Sequence, residues 1–256
     1  MKGTFTCCLL IIALGVVSSS HAQHVKFTNY YTSIRNFDFT DCWRGDSIRL
    51  EGGNEKLAFP EPLGFIGNDY QRFYIHYIKV KKRPGNPYVY DVYGKTKVKT
   101  NICNFKGTIT IKEAVLYKES YDPSFKEGSV TCDVVFYEDS TQPSTGIIKG
   151  KLTTDFCIDK KGKMYYDAIL SVGDGYCNNQ CTATWTSYKT GKSKKCNWGD
   201  FRMPDSRELD TGAGVVCIQE KYIKNGWETF VAAYGPGDDD EKAKKARQTE
   251  EARWWK

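Results

Sequence analysis

From Arg72 onward, runs of β-branched and aromatic residues are cut at short intervals by glycine, proline and asparagine, a rhythm that suits strands and not helices. Arg72–Lys82 reads RFYIHYIKVKK with no helical period, and Arg83-Pro84-Gly85-Asn86-Pro87 stops it. Further strands are predicted over Tyr88–Lys99 and, after a turn at Asn104–Gly107, over Thr108–Tyr117. More follow at Ser129–Tyr137, Gly146–Ile158, Met164–Val172, Thr182–Tyr188 and Val215–Tyr222. With turns such as Lys160-Lys161-Gly162-Lys163 between them, the fold class expected is mainly β. An antiparallel meander closes into a barrel-like or sandwich domain, because closure removes exposed strand edges.

The N-terminal residues follow an export pattern: Lys2, an apolar run from Cys7 to Val17, then Ser20-His21-Ala22 with small residues at the cleavage positions. A signal peptide over residues 1–22 is expected, and with it a secreted or periplasmic location. The run is too short to cross a bilayer, and no later stretch is apolar enough, so no membrane span is expected. Three regions follow: an antiparallel β domain over 23–172, a Cys/Gly-rich loop and strand region over 173–235 packed on it, and a charged helical tail over 236–256. In that tail acids precede bases, with Asp240/Lys244 and Glu241/Lys245 at helical spacing. It has no apolar stripe before Trp254 and Trp255, which predicts a solvated helix.

Of the 10 cysteines, eight lie beyond the leader: Cys42, Cys103, Cys132, Cys157, Cys177, Cys181, Cys196 and Cys217. An even count in an exported chain predicts disulfides, with Cys196–Asp205 as a stapled loop. If the segments flanking Asp139–Thr145 form a hairpin, Cys132 and Cys157 are expected at one level on adjacent strands. Trp43, Tyr93-Gly94-Lys95 leading to Cys103 and Gly107, Asn178-Asn179, Cys196-Asn-Trp-Gly-Asp-Phe-Arg-Met-Pro204 and Leu209-Asp-Thr-Gly-Ala-Gly214 stand out as a set. In these motifs, over about residues 40 to 230, the chain resembles a family of uncharacterised, secreted, β-rich proteins of Gram-negative gut bacteria. The resemblance implies export and carries no activity.

Catalytic signatures are sparse. Beyond the leader only His24 and His76 remain, and His76 shares a strand face with Tyr74, Ile78 and Val80, which reads as packing. There is no Gly-x-Ser-x-Gly, His-Glu-x-x-His or phosphate-cradling glycine loop. Cys177, Cys181, Cys196 and Cys217 lack the paired spacing of a zinc site, so no metal and no cofactor is expected. A glycosidase needs only two carboxylates, and Glu113, Asp133, Asp167 and Asp174 are available without a diagnostic spacing.

Binding surfaces are easier to nominate. Between Arg72 and Lys112 stand ten basic residues against one acid, Asp91. Lys95, Lys97 and Lys99 alternate with smaller residues and share one strand face, with Tyr90 and Tyr93 upstream, a grouping suited to a glycan or other anionic polymer. Nucleic acid is not the partner expected. Trp198, Asp200 and Arg202 form a second grouping: an aromatic plate for a sugar ring, with directional polar groups beside it. The competing reading has Asp200 pairing with Arg202 to fix a loop. The function expected is therefore an exported, non-catalytic binding protein. The alternatives are a two-carboxylate carbohydrate hydrolase and a structural or surface-interaction module.

Overall fold

The structure, a computed structural model, describes residues 26–49, 56–237 and 240–256. The predicted leader and His24 lie outside the described residues. The strands in chain order are β1 (Phe27–Asn29), β2 (Ser47–Arg49), β3 (Lys56–Ala58), β4 (Leu63–Ile66), β5 (Gln71–Lys82), β6 (Val89–Val98), β7 (Asn101–Tyr117), β8 (Phe125–Glu138), β9 (Gly146–Asp159), β10 (Met164–Tyr166), β11 (Asn178–Ser187) and β12 (Ser193–Asp200). A short α1 (Thr40–Trp43) precedes them in part, and α2 (Glu220–Ile223), α3 (Glu228–Tyr234) and α4 (Glu241–Glu250) end the chain.

The predicted meander closes. Each of β4 to β9 pairs antiparallel with the next, β9 continues to β11 and β12, and β12 returns to β4. The result is a ring of eight strands: β4, β5, β6, β7, β8, β9, β11 and β12. Every strand of the ring has a partner on both sides somewhere along its length, so the edge groups that invite aggregation are largely removed. Alternation then sorts the side chains. Phe73, Ile75 and Tyr77 of β5, Tyr90 and Val92 of β6, Phe105 and Ile109 of β7, and Val134 and Phe136 of β8 fill the interior. Trp198 of β12 and Leu152 of β9 join them, with Trp198 Nε1 donating to the Tyr77 hydroxyl at 3.2 Å. Rings this large leave no room for side chains on every neighbour. At Gly94 and Gly107 an added Cβ would lie 2.3 Å from the His76 carbonyl and 2.0 Å from that of Val135, which explains both glycines inside otherwise β-branched strands.

One end of the barrel is closed by the segment around α1. Phe39 and Trp43 are buried there, Phe39 meeting Phe156 edge-on at 5.4 Å and Trp43 meeting Tyr90 edge-on at 4.8 Å. The Phe39 amide donates to the Tyr90 hydroxyl at 3.0 Å. Against β4 and β5 on the outside lies a second apolar cluster of Phe65, Met203, Leu209, Ile218, Tyr222, Trp227 and Phe230.

Several expectations need correction. Asn104–Gly107 is not a turn: β7 runs unbroken from Asn101 to Tyr117. Cys196–Asp205 is not a stapled loop, since Ser193–Asp200 is an inner strand of the ring, and Val215–Tyr222 is not a strand but leads through a bridge at Ile218 into α2. None of Cys42, Cys103, Cys132, Cys157, Cys177, Cys181, Cys196 and Cys217 is bonded. Cys132 lies opposite Leu152, while Cys157 lies opposite Glu127. That offset of five residues along β9 puts them roughly 17 Å apart and on opposite faces of the sheet. Most of the thiols serve as small apolar packing groups, and burial raises the thiol pKa of Cys42, Cys132, Cys157, Cys181 and Cys196 well away from reactivity.

The tail is helical as predicted, yet it is docked and not solvated. Asp240 caps α4 by accepting the Ala243 amide at 2.8 Å, and Ala243 and Ala246 are buried against α3. Two small residues one turn apart let the helices approach without a broad apolar stripe. Arg72 Nη2 meets Glu250 Oε2 at 3.3 Å with both side chains buried, and Arg72 is stacked between Tyr74 and Trp227 at 4.7 and 4.2 Å. Beyond α4, Trp255 stacks on His76 with centroids 3.7 Å apart, and Trp254 packs against Tyr74 at 5.8 Å.

Two outcomes are expected. Removing residues 237–256 strands the Arg72 charge in an apolar setting and should cost about 3–5 kcal/mol in a urea titration; an unchanged midpoint would show that the tail contributes nothing to the fold. Thiol titration of a chain beginning at Gln23, without reductant, should find exposed Cys217 first and half-buried Cys177 next, and eight thiols only after unfolding. Four or fewer thiols in the unfolded chain would establish bridges instead.

Candidate functional site

The barrel wall is weakest at β4. This strand is four residues long and pairs with β5 only through Gly64–Ile66 against Gln71–Phe73. From Tyr74 onward β5 has no ladder partner on that side. An open cleft of about 1390 Å3 lies along this gap, and its lining runs from interior residues Tyr77, Leu152 and Trp198 out to Phe59, Glu61 and Trp255.

At its floor is a chain of buried polar groups. Trp43 Nε1 donates to Thr154 Oγ1 at 2.7 Å, which donates to Asn179 Oδ1 at 2.8 Å. Asn179 Nδ2 donates to Asp200 Oδ2 at 2.7 Å and to the Cys42 carbonyl at 2.9 Å. The Tyr166 hydroxyl donates to the same Asp200 oxygen at 3.1 Å. Two residues beside this network adopt left-handed backbone, Asn179 at φ 48° and Phe201 at φ 64°. Asn179 sits in the bulge between Asn178 and Cys181, which turns its side chain inward. Strained non-glycine positions that bracket a buried carboxyl are a recognised mark of functional sites.

Asp200 is 1% exposed, and its second oxygen, Oδ1, has no hydrogen-bond partner among the described residues. Loss of hydration raises its pKa to about 8, against the opposing pull of the Asn179 and Tyr166 hydrogen bonds. Near neutral pH the carboxyl is therefore mostly protonated. With Oδ2 already accepting two hydrogen bonds, the proton belongs on Oδ1, where it is an unused donor. Across the cleft, Glu61 stands on the Pro60-Glu61-Pro62 segment with its side chain 44% exposed. His76 Nδ1 lies 2.9 and 3.0 Å from its two oxygens. Glu61 lies close enough to raise the Asp200 pKa further.

The nominated residues fall in different places. Trp198, Asp200 and Arg202 all lie in the lining of the cleft. Arg202 does not pair with Asp200: its guanidinium binds Asp210 at 2.6 Å and the carbonyls of Gly212 and Ala213. Lys95, Lys97 and Tyr93 share the outer face of β6, while Lys99 is exposed just past its end. Lys97 is not free of neighbours, since its Nζ lies 4.7 Å from the Tyr74 ring and 5.9 Å from Trp254. Tyr90 belongs elsewhere: it is fully buried in the barrel, because a position an odd number of residues away from Lys95 faces the opposite side. Among the acids weighed, Asp133 is an outer-face partner of Lys151 at 2.6 Å, and Asp167 lies half-buried near Asp155, whose pKa burial pushes up to about 6. Only Asp174 reaches the cleft. Sequence reasoning missed Glu61, Tyr166, Asn179 and the His76–Trp255 stack. Their one visible signal was Asn178-Asn179 inside a strand, where asparagine is disfavoured.

Comparison with family models, with curated proteins and with solved structures finds no match for this chain.

The raised Asp200 pKa has a consequence for stability. In the unfolded chain an aspartate titrates near about 3.9. The proton is held more tightly in the folded state, so the contribution is complete below that value and is lost as pH rises through about 8. Its slope reaches at most about 1.4 kcal/mol per pH unit. Asp155, Asp167, Glu127 and Glu138, also raised by burial, act in the same direction. Asp200→Asn should therefore reduce the loss of denaturation free energy between pH 5 and pH 9. Equal losses in variant and parent would show that Asp200 is already ionised in the native state.

Proposed function

We propose that this chain is an exported binding protein whose cleft takes a neutral, hydroxyl-rich ligand, a saccharide. The observation that carries the reading is Asp200 at the cleft floor: a buried carboxyl, oriented through one oxygen by Asn179 and Tyr166, with its other oxygen buried and unpartnered. A sugar hydroxyl both donates and accepts, and a protonated carboxyl meets either need. Phe59, Phe201, Trp254 and Trp255 supply aromatic surface around the same cleft, suited to the apolar face of a sugar ring.

The anionic-polymer reading is less well supported. The cleft carries Asp46, Glu61, Asp174, Glu250 and Glu251 beside Arg44, Arg72, Arg202, Arg247 and Arg253, so it offers no marked excess of positive charge to draw in a polyanion. The Lys95–Lys97–Lys99 stripe lies on an outer face and not in the lining of the cleft, and Lys97 is engaged by the Tyr74 and Trp254 rings. The export part of the reading rests on Lys2, the Cys7–Val17 run and Ser20-His21-Ala22.

A glycan array followed by calorimetric titration of the hits tests this. Asp200→Ala should raise Kd about 5- to 150-fold, the equivalent of about 1–3 kcal/mol for a buried hydrogen-bonding group. Lys95→Gln, Lys97→Gln and Lys99→Gln combined should leave Kd within about twofold. Binding that survives Asp200→Ala and vanishes in the triple lysine variant would reverse the assignment in favour of the outer stripe.

A further inference from the structure

We propose that His76 is a latch on the cleft: it fastens the rim segment 60–62 and the C-terminal tip 252–256 to β5 together, so that drawing Glu61 off the imidazole also frees Trp255 and opens the mouth. Glu61, His76 and Trp255 all line the cleft. The device does not depend on what the cleft binds.

The rim is rooted at both ends and lightly held between them. At one end the Phe59 amide donates to the Asp46 carbonyl at 3.2 Å, and the Phe59 ring meets Tyr166 edge-on at 5.4 Å. At the other end Leu63 begins β4, opposite Gly199 of β12. Pro60 and Pro62 have no amide hydrogen to give. Among the described residues, the hydrogen bonds from 60–62 to the rest of the fold are those between Glu61 and His76, at 2.9 and 3.0 Å. A carboxylate only accepts, so Nδ1 carries the hydrogen.

The tip is built the same way. Its root, α4, is anchored by buried Ala243 and Ala246 and by Glu250, which binds Arg72 and accepts from the Thr229 hydroxyl. Past Glu251, the hydrogen bonds among the described residues run between neighbours in the tail: Ala252 to Thr249, Trp254 to Ala252 and Lys256 to Arg253. Rings hold the tip to the body. Trp255 lies on His76 at 3.7 Å with 11° between planes, and Trp254 lies 5.8 Å from Tyr74. Lifting the tip gives up ring contacts and leaves the Arg72–Glu250 pair in place.

The two segments thus meet at one imidazole, which turns its edge to Glu61 and its face to Trp255. Rotation of a histidine ring about its Cβ–Cγ bond is broad when nothing holds it, and the Nδ1 hydrogen bond keeps the plane parallel to the indole. Such coupling is reciprocal: if loss of Glu61 loosens Trp255, loss of Trp255 loosens Glu61 by the same factor.

Of the three histidines, His21 belongs to the predicted leader, which leaves His24 and His76, and the chain has six tryptophans. Nitrogen-15 histidine and 5-fluorotryptophan in the full chain therefore give separable NMR signals at the latch and the tip. Glu61→Ala should move the Trp255 fluorine signal toward its position in the urea-unfolded chain. Glu61→Gln keeps a carbonyl that accepts from Nδ1 and should move it less. In the other direction, Trp255→Ala should speed exchange of the His76 Nδ1 proton with water about 2- to 13-fold, the factor one ring pair carries. The Trp198 and Trp227 signals should stay in place, which shows the barrel intact. A Trp255 signal unmoved in Glu61→Ala, or Nδ1 exchange unchanged in Trp255→Ala, makes the two contacts independent and overturns the latch. So does a parent chain with no observable Nδ1 proton, or a shift of Trp198 and Trp227 along with Trp255, which is general loosening. No glycan enters the measurement, so these failures leave the saccharide reading untouched.

Discussion

Closure of the eight-stranded ring is the constraint from which the other features follow. A ring of this size has an interior only wide enough for its own side chains. Trp198, Phe136, Phe105 and Tyr77 consume that volume, and glycines at 94 and 107 are needed where the rings press on neighbouring backbone. Any polar group that ends up inside must find a partner there, because water has been expelled. The Trp43–Thr154–Asn179–Asp200 chain is the answer at one end of the barrel. Glu138 is the corresponding answer elsewhere, with Thr96, Trp185 Nε1 and the Gly146 amide all donating to it. Glu138 has both oxygens satisfied; Asp200 has one to spare, and that difference makes Asp200 chemically interesting and Glu138 structural.

Closure is complete everywhere except beside β4. A four-residue strand cannot cover the length of β5, so the wall is finished by other means: the Pro60-Glu61-Pro62 segment, the α1 region and the C-terminal tail. The tail's hold is electrostatic and aromatic more than aliphatic. Arg72 is buried, lies against the rings of Tyr74, Trp227 and Phe230, and is neutralised by Glu250. A buried pair of this kind adds little net stability compared with an apolar core, but losing one partner is costly. It therefore fixes where the tail sits. Fixing the tail places Trp254 and Trp255 at the cleft, and Trp255 in turn meets the histidine that holds Glu61.

The chemistry of the cleft comes from uneven hydration. Asp200 and Glu61 are both carboxylic acids with similar intrinsic acidity. One is shut in beneath Tyr166 and Asn179, and the other projects from a rim segment into solvent. No unusual residue is required, only a fold that carries two ordinary ones to opposite sides of the dielectric boundary.

The sequence by itself determined the class of fold, because alternation of β-branched and aromatic residues with turn-formers is a local property that survives into any antiparallel arrangement. Strands β5, β6, β8 and β9 were legible to within a few residues for this reason. The sequence also marked Trp198, Asp200 and Arg202 as neighbours worth attention. It could not show that Tyr90 points into the barrel, away from Lys95, until the strand's burial was known. It suggested a pairing of Asp200 with Arg202, two positions away on the chain, whereas Arg202 binds Asp210. The even cysteine count suggested bridges that the register of β8 on β9 does not allow for Cys132 and Cys157. The tail looked solvated because its docking uses two alanines and one buried ion pair, neither of which forms an apolar stripe. Ring closure alone decided the site: Glu61, His76, Tyr166, Asn179, Asp200 and Trp255 span almost 200 positions of the chain. Their meeting depends on which strands pair around the barrel, and long-range pairing is set by the packing of the whole interior and not by any local pattern.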